Sequence, residues 1–125
     1  MVWAATERLD ARVFGCDYSD VALLGKAVSR RHWLPVGLAI HALNGAAFGV
    51  AFDIARRRVP VRPANLAIGM ALAETAALWP LTALADRYHP ARGEPGLPPL
   101  AKNGPAFAQA CWRHTLFGWV LGKLA

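Results

Sequence analysis

The sequence predicts an all-α integral membrane protein in which three transmembrane helices form a bundle behind an N-terminal amphipathic helix at the interface. Of the 125 residues, 55% are hydrophobic and 18% are charged, whereas an ordinary soluble domain has about 25% charged residues. The apolar residues form three runs of about 20, the length that crosses a hydrocarbon core of about 30 Å. The predicted spans are 34–54, 64–85 and 105–124, in a transmembrane domain of residues 34–125 that follows an N-terminal segment, residues 1–33.

The positive charge of the chain fits a membrane surface better than nucleic acid. The formal net charge is +6 and the pI is about 10.2. The basic residues stand at the ends of the apolar runs, where they can meet anionic lipid headgroups. The predicted partners are therefore the lipid bilayer and other copies of the chain or other membrane subunits, and no nucleic acid.

A small soluble all-α bundle is the competing fold, since alanine-rich helices also occur in soluble cores. A lone bundle of this size cannot easily bury three helices on all sides, which favours the membrane interpretation. The two cysteines, Cys16 and Cys111, lie in unlike contexts and their spacing does not predict a bridge. Residues 1–20 carry charges of both signs and lack the apolar core of a cleavable signal peptide.

The N-terminal segment reads as a polar tail up to Ser19, followed by a short amphipathic helix. Val21, Leu24 and Val28 recur at helical spacing, with acidic residues before them and basic residues after them, as a helix dipole favours. Such a helix is too short to span. It is predicted to lie in the interface plane next to Trp33, or to pack on the bundle as a capped helix.

Small residues form stripes along the predicted spans. The pattern His-x-Leu-x-Gly-x-x-x-Gly begins at His41 and returns at His114. Residues four apart share a helix face, and faces without bulk let two helices approach closely. The repeated Gly-x-x-x-Gly pattern predicts helix packing within the chain or between chains through Gly37, Gly45, Gly49, Gly69, Ala73, Gly118 and Gly122.

The connections between the spans give the predicted orientation. Four arginines crowd the short loop 55–63, which the positive-inside rule places in the cytoplasm, although the N-terminal segment carries five basic residues that compete with it. The alanine and arginine bias is typical of bacteria with G+C-rich genomes, so the predicted location is a bacterial inner membrane.

Loop 86–104 is rich in proline and glycine and is either a lid or partner-binding segment or an ordered cover. Pro80 should kink or end the regular part of the second span.

Each span has polar residues near its middle, and antiparallel spans of equal length bring their middles to the same depth. Ionisable groups there cost about 2.5 to 3.5 kcal/mol for a central Arg or Asp, so they should face inward and pair. Glu74 with Arg113 is the predicted neutralising pair. The predicted mid-membrane polar cluster consists of His41, Asn44, Glu74, Gln109, Arg113 and His114.

Three functions are compatible with this cluster. A structural hydrogen-bond network would make the protein a packing or accessory subunit of a homo-oligomer or larger membrane complex, and this interpretation is favoured. A proton, ion or solute path could use His41, Glu74 and His114. The same three residues could hold a metal in a membrane enzyme, but no short ligand motif supports this. No catalytic, phosphate-binding or dinucleotide-binding motif occurs, so an enzyme is disfavoured and no cofactor is indicated.

Overall fold

The computed structural model describes residues 2–125, with side chains from Thr6 onwards, and every regular element in that part of the chain is helical. A 3₁₀ turn, Trp79–Leu81, joins the fourth and fifth helices. The helices are α1 (Val2–Phe14), α2 (Asp20–Val28), α3 (Trp33–Arg56), α4 (Pro63–Leu78), α5 (Thr82–Tyr88) and α6 (Gly104–Leu124). The predicted all-α class is confirmed.

Two stretches are long and apolar enough to cross a membrane, Trp33–Arg56 and Pro63–Tyr88. They cover the first two predicted spans. The second is interrupted at Pro80, where the regular helix gives way to the 3₁₀ turn, as a missing backbone donor requires. The helix predicted as the third span, α6, is not among them. It is less hydrophobic than these two stretches, because Gln109, Arg113 and His114 lie in its middle.

The N-terminal segment differs from the prediction. Residues 2–14, which read as a polar tail, form α1. The short helix α2 begins at Asp20, and the Ser19 hydroxyl caps it by accepting from the Ala22 N–H. One face of α2 is buried against α3, where a Cβ on Gly37 would collide with Val21.

The tightest helix pair is α4 with α6, which run antiparallel. Ala67 and Ala71 of α4 are fully buried. A Cβ placed on Gly118 would lie 2.7 Å from the Ile68 Cα, and one on Gly122 would meet the Ala64 backbone. Small residues on both helices therefore bring the two backbones into direct contact.

The loop between α5 and α6 is an ordered cover over one end of the bundle. The Asp86 carboxylate accepts hydrogen bonds from the Leu100 and Ala101 N–H groups at 2.8 and 2.9 Å. His89 is buried and its Nε2 lies 2.8 Å from the Leu23 carbonyl oxygen. Glu94 forms ion pairs with Lys26 of α2 and with Arg30, which follows α2. The contacts of His89 and Glu94 tie the loop to α2. Two small apolar clusters lie in this part of the molecule: Cys16, Tyr18, Leu100, Ala106 and Ala110, and Ala22, Ala91 and Leu97.

Candidate functional site

A small cavity lined by polar side chains lies between α3, α4 and α6, near the middle of α3 and α6 and in the last turns of α4. Its volume is about 50 Å³, which suits one or two water molecules and is too small for a drug-sized ligand. It collects groups from helices far apart in the chain. The lining residues are Asp20, His41, Asn44, Gly45, Phe48, Glu74, Arg113, His114 and Phe117.

Five of the six residues of the predicted polar cluster line this cavity. The sixth, Gln109, is fully buried one turn along α6 and contacts the N-terminal segment instead. A second cavity of about 170 Å³ adjoins the first and shares Asp20, Asn44, Glu74 and His114 with it. The structure thus brings five of the six predicted residues around one cavity.

Arg113 does not pair with Glu74 as predicted. Its guanidinium forms a two-point contact with the Asp10 carboxylate, Nε to Oδ2 at 2.7 Å and Nη2 to Oδ1 at 2.8 Å. Both side chains are nearly fully buried, with 4% and 3% of their surface exposed. The prediction was wrong because the N-terminal segment folds as α1 and brings a carboxylate against α6, where the planar guanidinium can bind it at two points.

Two further carboxylates face the same guanidinium. Asp20 Oδ2 lies 3.4 Å from Arg113 Nη1, and Glu7 Oε1 lies 3.7 Å from it. We call Glu7, Asp10, Asp20 and Arg113 the arginine cluster. It joins α1, the start of α2 and the middle of α6, so its main physical consequence is to anchor the N-terminal segment on the bundle.

Neighbouring hydroxyl groups support the acidic members of the arginine cluster. The Tyr18 hydroxyl donates to Asp20, and the Ser19 hydroxyl donates to Glu7 at 3.2 Å. Burial raises the pKa of Glu7, and the Arg113 charge offsets part of that rise. Burial, together with the negative charge of Asp20, raises the pKa of Tyr18 well above its usual range. Tyr18 is therefore a neutral donor at physiological pH.

Gln109 connects the arginine cluster to the backbone. Its Nε2 donates to Asp10 Oδ1 at 2.7 Å and to the Cys16 carbonyl oxygen at 3.1 Å. Its Oε1 is buried and has no hydrogen-bond partner among the described residues. The amide thus uses both donors to hold α1 and the following turn, at the cost of one unsatisfied acceptor.

The remaining cavity residues are bound less firmly. His114 is held by its own helix, with Nδ1 2.8 Å from the Ala110 carbonyl oxygen. His41 is half-buried and Asn44 is exposed. Glu74 is half-buried, and within the described part of the chain no hydrogen bond or ion pair holds its carboxylate.

The glycine stripes divide into two kinds. On α6, Gly118 and Gly122 lie at the contact with α4, and Gly37 lies at the contact with α2. A Cβ on Gly45, Gly49 or Gly69 would meet no atom within 4 Å, and Ala73 is exposed. The stripe of α3 therefore packs at its first turns only.

The candidate metal ligands do not form a metal site. Among residues 2–125, no group of three His, Cys, Asp or Glu side chains is arranged to hold a metal ion, and this applies to His41, Glu74 and His114.

The carboxylates that bind Arg113 were not predicted from the sequence. The available signal was the i, i+3 spacing of Glu7 and Asp10, which puts both on one helix face.

Fold and site together define an all-helical protein with two helices able to cross a membrane and a polar cavity between its long helices. Comparison with models of known protein families, with curated proteins and with solved structures finds no match.

Proposed function

We propose that this protein is a three-span membrane protein that serves as a subunit of a homo-oligomer, pairing with a second copy through the face of α3 around Asn44. The observation that carries this proposal is the exposure and the hydrogen bonding of two polar side chains, each near the middle of a stretch long enough to span. Asn44 is exposed, and Glu74 is half-buried without a hydrogen bond or ion pair to the described residues. They are each the twelfth residue of a stretch long enough to span.

The surfaces of these helices support a membrane location. In the most apolar part of α3 only 11% of the residues are buried, and in the most apolar part of Pro63–Tyr88 22% are buried. A helix of such hydropathy in a soluble protein is buried in the core. Leu34, Leu43, Val50 and Ile54 are at least half exposed along α3. An apolar surface over the whole length of α3 suits lipid.

The third span in this proposal is α6. Its central Arg113 would be costly in lipid if it were unpaired, but the arginine cluster surrounds it with carboxylates. The helix is 21 residues long and ends at Lys123 and Leu124, enough to cross about 30 Å. In this proposal the C-terminal end of α2 lies at the interface, where the Lys26 ammonium lies 5.2 Å from the centre of the Trp33 ring, whereas the first residue of α2, Asp20, reaches Arg113 at the middle of α6.

A second copy is favoured because Asn44 and Glu74 need partners. A polar group in hydrocarbon costs free energy until it forms a hydrogen bond. The open space in front of Gly45 and Gly49 lets another helix approach the same side of α3 closely. An amide can donate and accept, so two copies of Asn44 can satisfy each other across a twofold contact.

The test is self-association of the full chain in liposomes, measured by energy transfer between differently labelled copies as the lipid is diluted. Gly45→Leu and Asn44→Leu should reduce the transfer. Ala39→Leu is the matched control, because Ala39 is exposed and lies about 140° around the helix from Asn44 and about 120° from Gly45. A wild-type chain that remains monomeric at every dilution, or equal losses in Gly45→Leu and Ala39→Leu, would refute the proposal.

A second candidate function is a path for protons or a small solute. The observation that favours it is that His41, Glu74 and His114 line one water-sized cavity that adjoins a second one, and histidine and carboxylate side chains form the proton relays of membrane transporters. Glu74→Gln should then abolish pH-dependent flux into liposomes without changing self-association. Equal flux in the variant and the wild type would exclude this function.

A further inference from the structure

The end of the molecule formed by the α3–α4 connection carries a concentrated positive charge. Residues 53–62 together with Lys123 contain five basic residues and one acidic residue, Asp53. Lys123 belongs to this end because the preceding Gly122 packs on Ala64 at the start of α4. Residues 1–33 and 86–104 contain eight basic and six acidic residues, but three of the acidic ones, Glu7, Asp10 and Asp20, face Arg113 at the middle of α6 and do not lie at the opposite end.

Only part of this positive charge is neutralised within the chain. Asp53 forms ion pairs with Arg56 and Arg57, each at 2.7 Å. Arg58 and Arg62 are exposed, and no hydrogen bond or ion pair joins their side chains to the described residues. At the opposite end, Glu94 pairs with Lys26 of α2 and with Arg30, which follows α2. Two guanidinium groups at the α3–α4 end are therefore available to an external anion.

We propose that this end binds the phosphate groups of anionic phospholipids, with Arg58 and Arg62 as the principal ligands and Lys123 beside them. A guanidinium binds phosphate with two parallel hydrogen bonds, which suits it to this role better than an ammonium group. The inference rests on the membrane location proposed above, but not on self-association.

The position of the loop selects lipid as the source of the phosphate. Only six residues, 57–62, separate α3 from α4, the two helices able to cross a membrane. A connection this short holds the arginines at the headgroup layer. Between them Val59 and Val61 are 37% and 48% exposed, which gives the loop apolar side chains for the acyl boundary. The α4 N-terminus has no side-chain cap, and its dipole adds to the positive potential.

The experiment measures lipid binding to the delipidated full chain in mild detergent by native mass spectrometry. Phosphatidylglycerol and phosphatidylcholine with identical acyl chains are offered to the wild type, to Arg58→Gln with Arg62→Gln, and to Arg31→Gln with Lys102→Gln. The last pair is the matched control, because both residues are exposed at the opposite end. Each cation near anionic headgroups contributes about a fivefold change in affinity.

The wild type should prefer phosphatidylglycerol, and the arginine pair should weaken that binding roughly 25-fold. The control pair should change it by no more than about twofold, and added salt should reduce the difference between the pairs. Equal losses in both pairs, no preference for phosphatidylglycerol, or displacement of the lipid by an equal concentration of single-stranded oligonucleotide would overturn the proposal. Because monomers and oligomers appear as separate masses, failure of self-association would leave this result readable.

Discussion

Replacing Arg113 by leucine removes the cation that three carboxylates face. Asp10 lies 2.7 Å from the guanidinium, and Asp20 and Glu7 lie at 3.4 and 3.7 Å. Removing one partner of a buried ion pair costs about 3 to 5 kcal/mol, because the other charge stays buried. The upper part of that range applies here, since Asp10 is almost completely buried. At about 4 °C per kcal/mol for a chain of this length, Tm should fall by about 15 to 20 °C.

The converse change, Asp10→Asn, should be milder. Arg113 keeps Asp20 and Glu7 as partners, and the asparagine oxygen can still accept a hydrogen bond. The expected loss is about 1.5 to 3 kcal/mol, the contribution of a hydrogen bond between charged groups. The double variant should lose less than the sum of the two single losses, by about 1 to 3 kcal/mol, as directly coupled residues do.

The assay is thermal unfolding of the purified chain in mild detergent, followed by helical circular dichroism. Glu74→Gln is the control, because its carboxylate has no hydrogen bond or ion pair to the described residues, and it should change Tm by less than about 2 °C. If Glu74→Gln destabilises as much as Arg113→Leu, or if Arg113→Leu costs less than Asp10→Asn, the assignment of Asp10 as the partner of Arg113 is refuted.

Three other predictions concern single side chains. Gly118→Ala should lower Tm, because its Cβ would lie 2.7 Å from the α4 backbone. Gly45→Ala should raise the stability of the single chain by about 0.5 to 1 kcal/mol, because its Cβ meets no atom within 4 Å and alanine favours the helix. Thermal unfolding in dissociating detergent checks both. Burial raises the pKa of Glu7, so the folded state holds this proton more tightly and loses stability as pH rises from the ordinary value through the raised one. Glu7→Gln should therefore gain Tm relative to wild type across that interval in a pH series, and a constant difference would contradict this. Asp86→Ala removes two hydrogen bonds to loop N–H groups and should speed amide exchange over residues 97–103, with exchange in α4 unchanged as the internal control.

The boundaries of the long helices were readable from the sequence because they depend on local signals. The apolar runs 34–54, 64–85 and 105–124 lie within helical regions of the structure. Pro35, Pro63 and Pro105 stand in first turns, where the missing N–H costs nothing. The break at Pro80 also follows from local chemistry. Each of these features depends on neighbouring residues in the sequence and not on which helix packs against which.

The N-terminal segment shows where such reasoning stops. Val2–Phe14 has apolar residues at both ends but mostly polar and charged ones between them, and it was predicted as a polar tail. In the structure Asp10 meets the buried cation Arg113, 103 residues away in the sequence, and only the tertiary fold brings the two together. The sequence likewise indicated that Arg113 needs an anion, but Glu74 lay at the expected depth and Asp10 did not.

The sequence by itself determined the helical class, the two apolar stretches and which polar residues interrupt the long helices, because composition and helical period act locally. Tertiary structure alone decided the pairings. It placed Arg113 with Asp10, left Glu74 beside a cavity, and packed Gly118 against α4 while Gly45 faces open space. The physical reason is that a charge or a bare helix face specifies the kind of partner it needs, whereas the partner's identity depends on which segments the whole chain brings within a few ångströms.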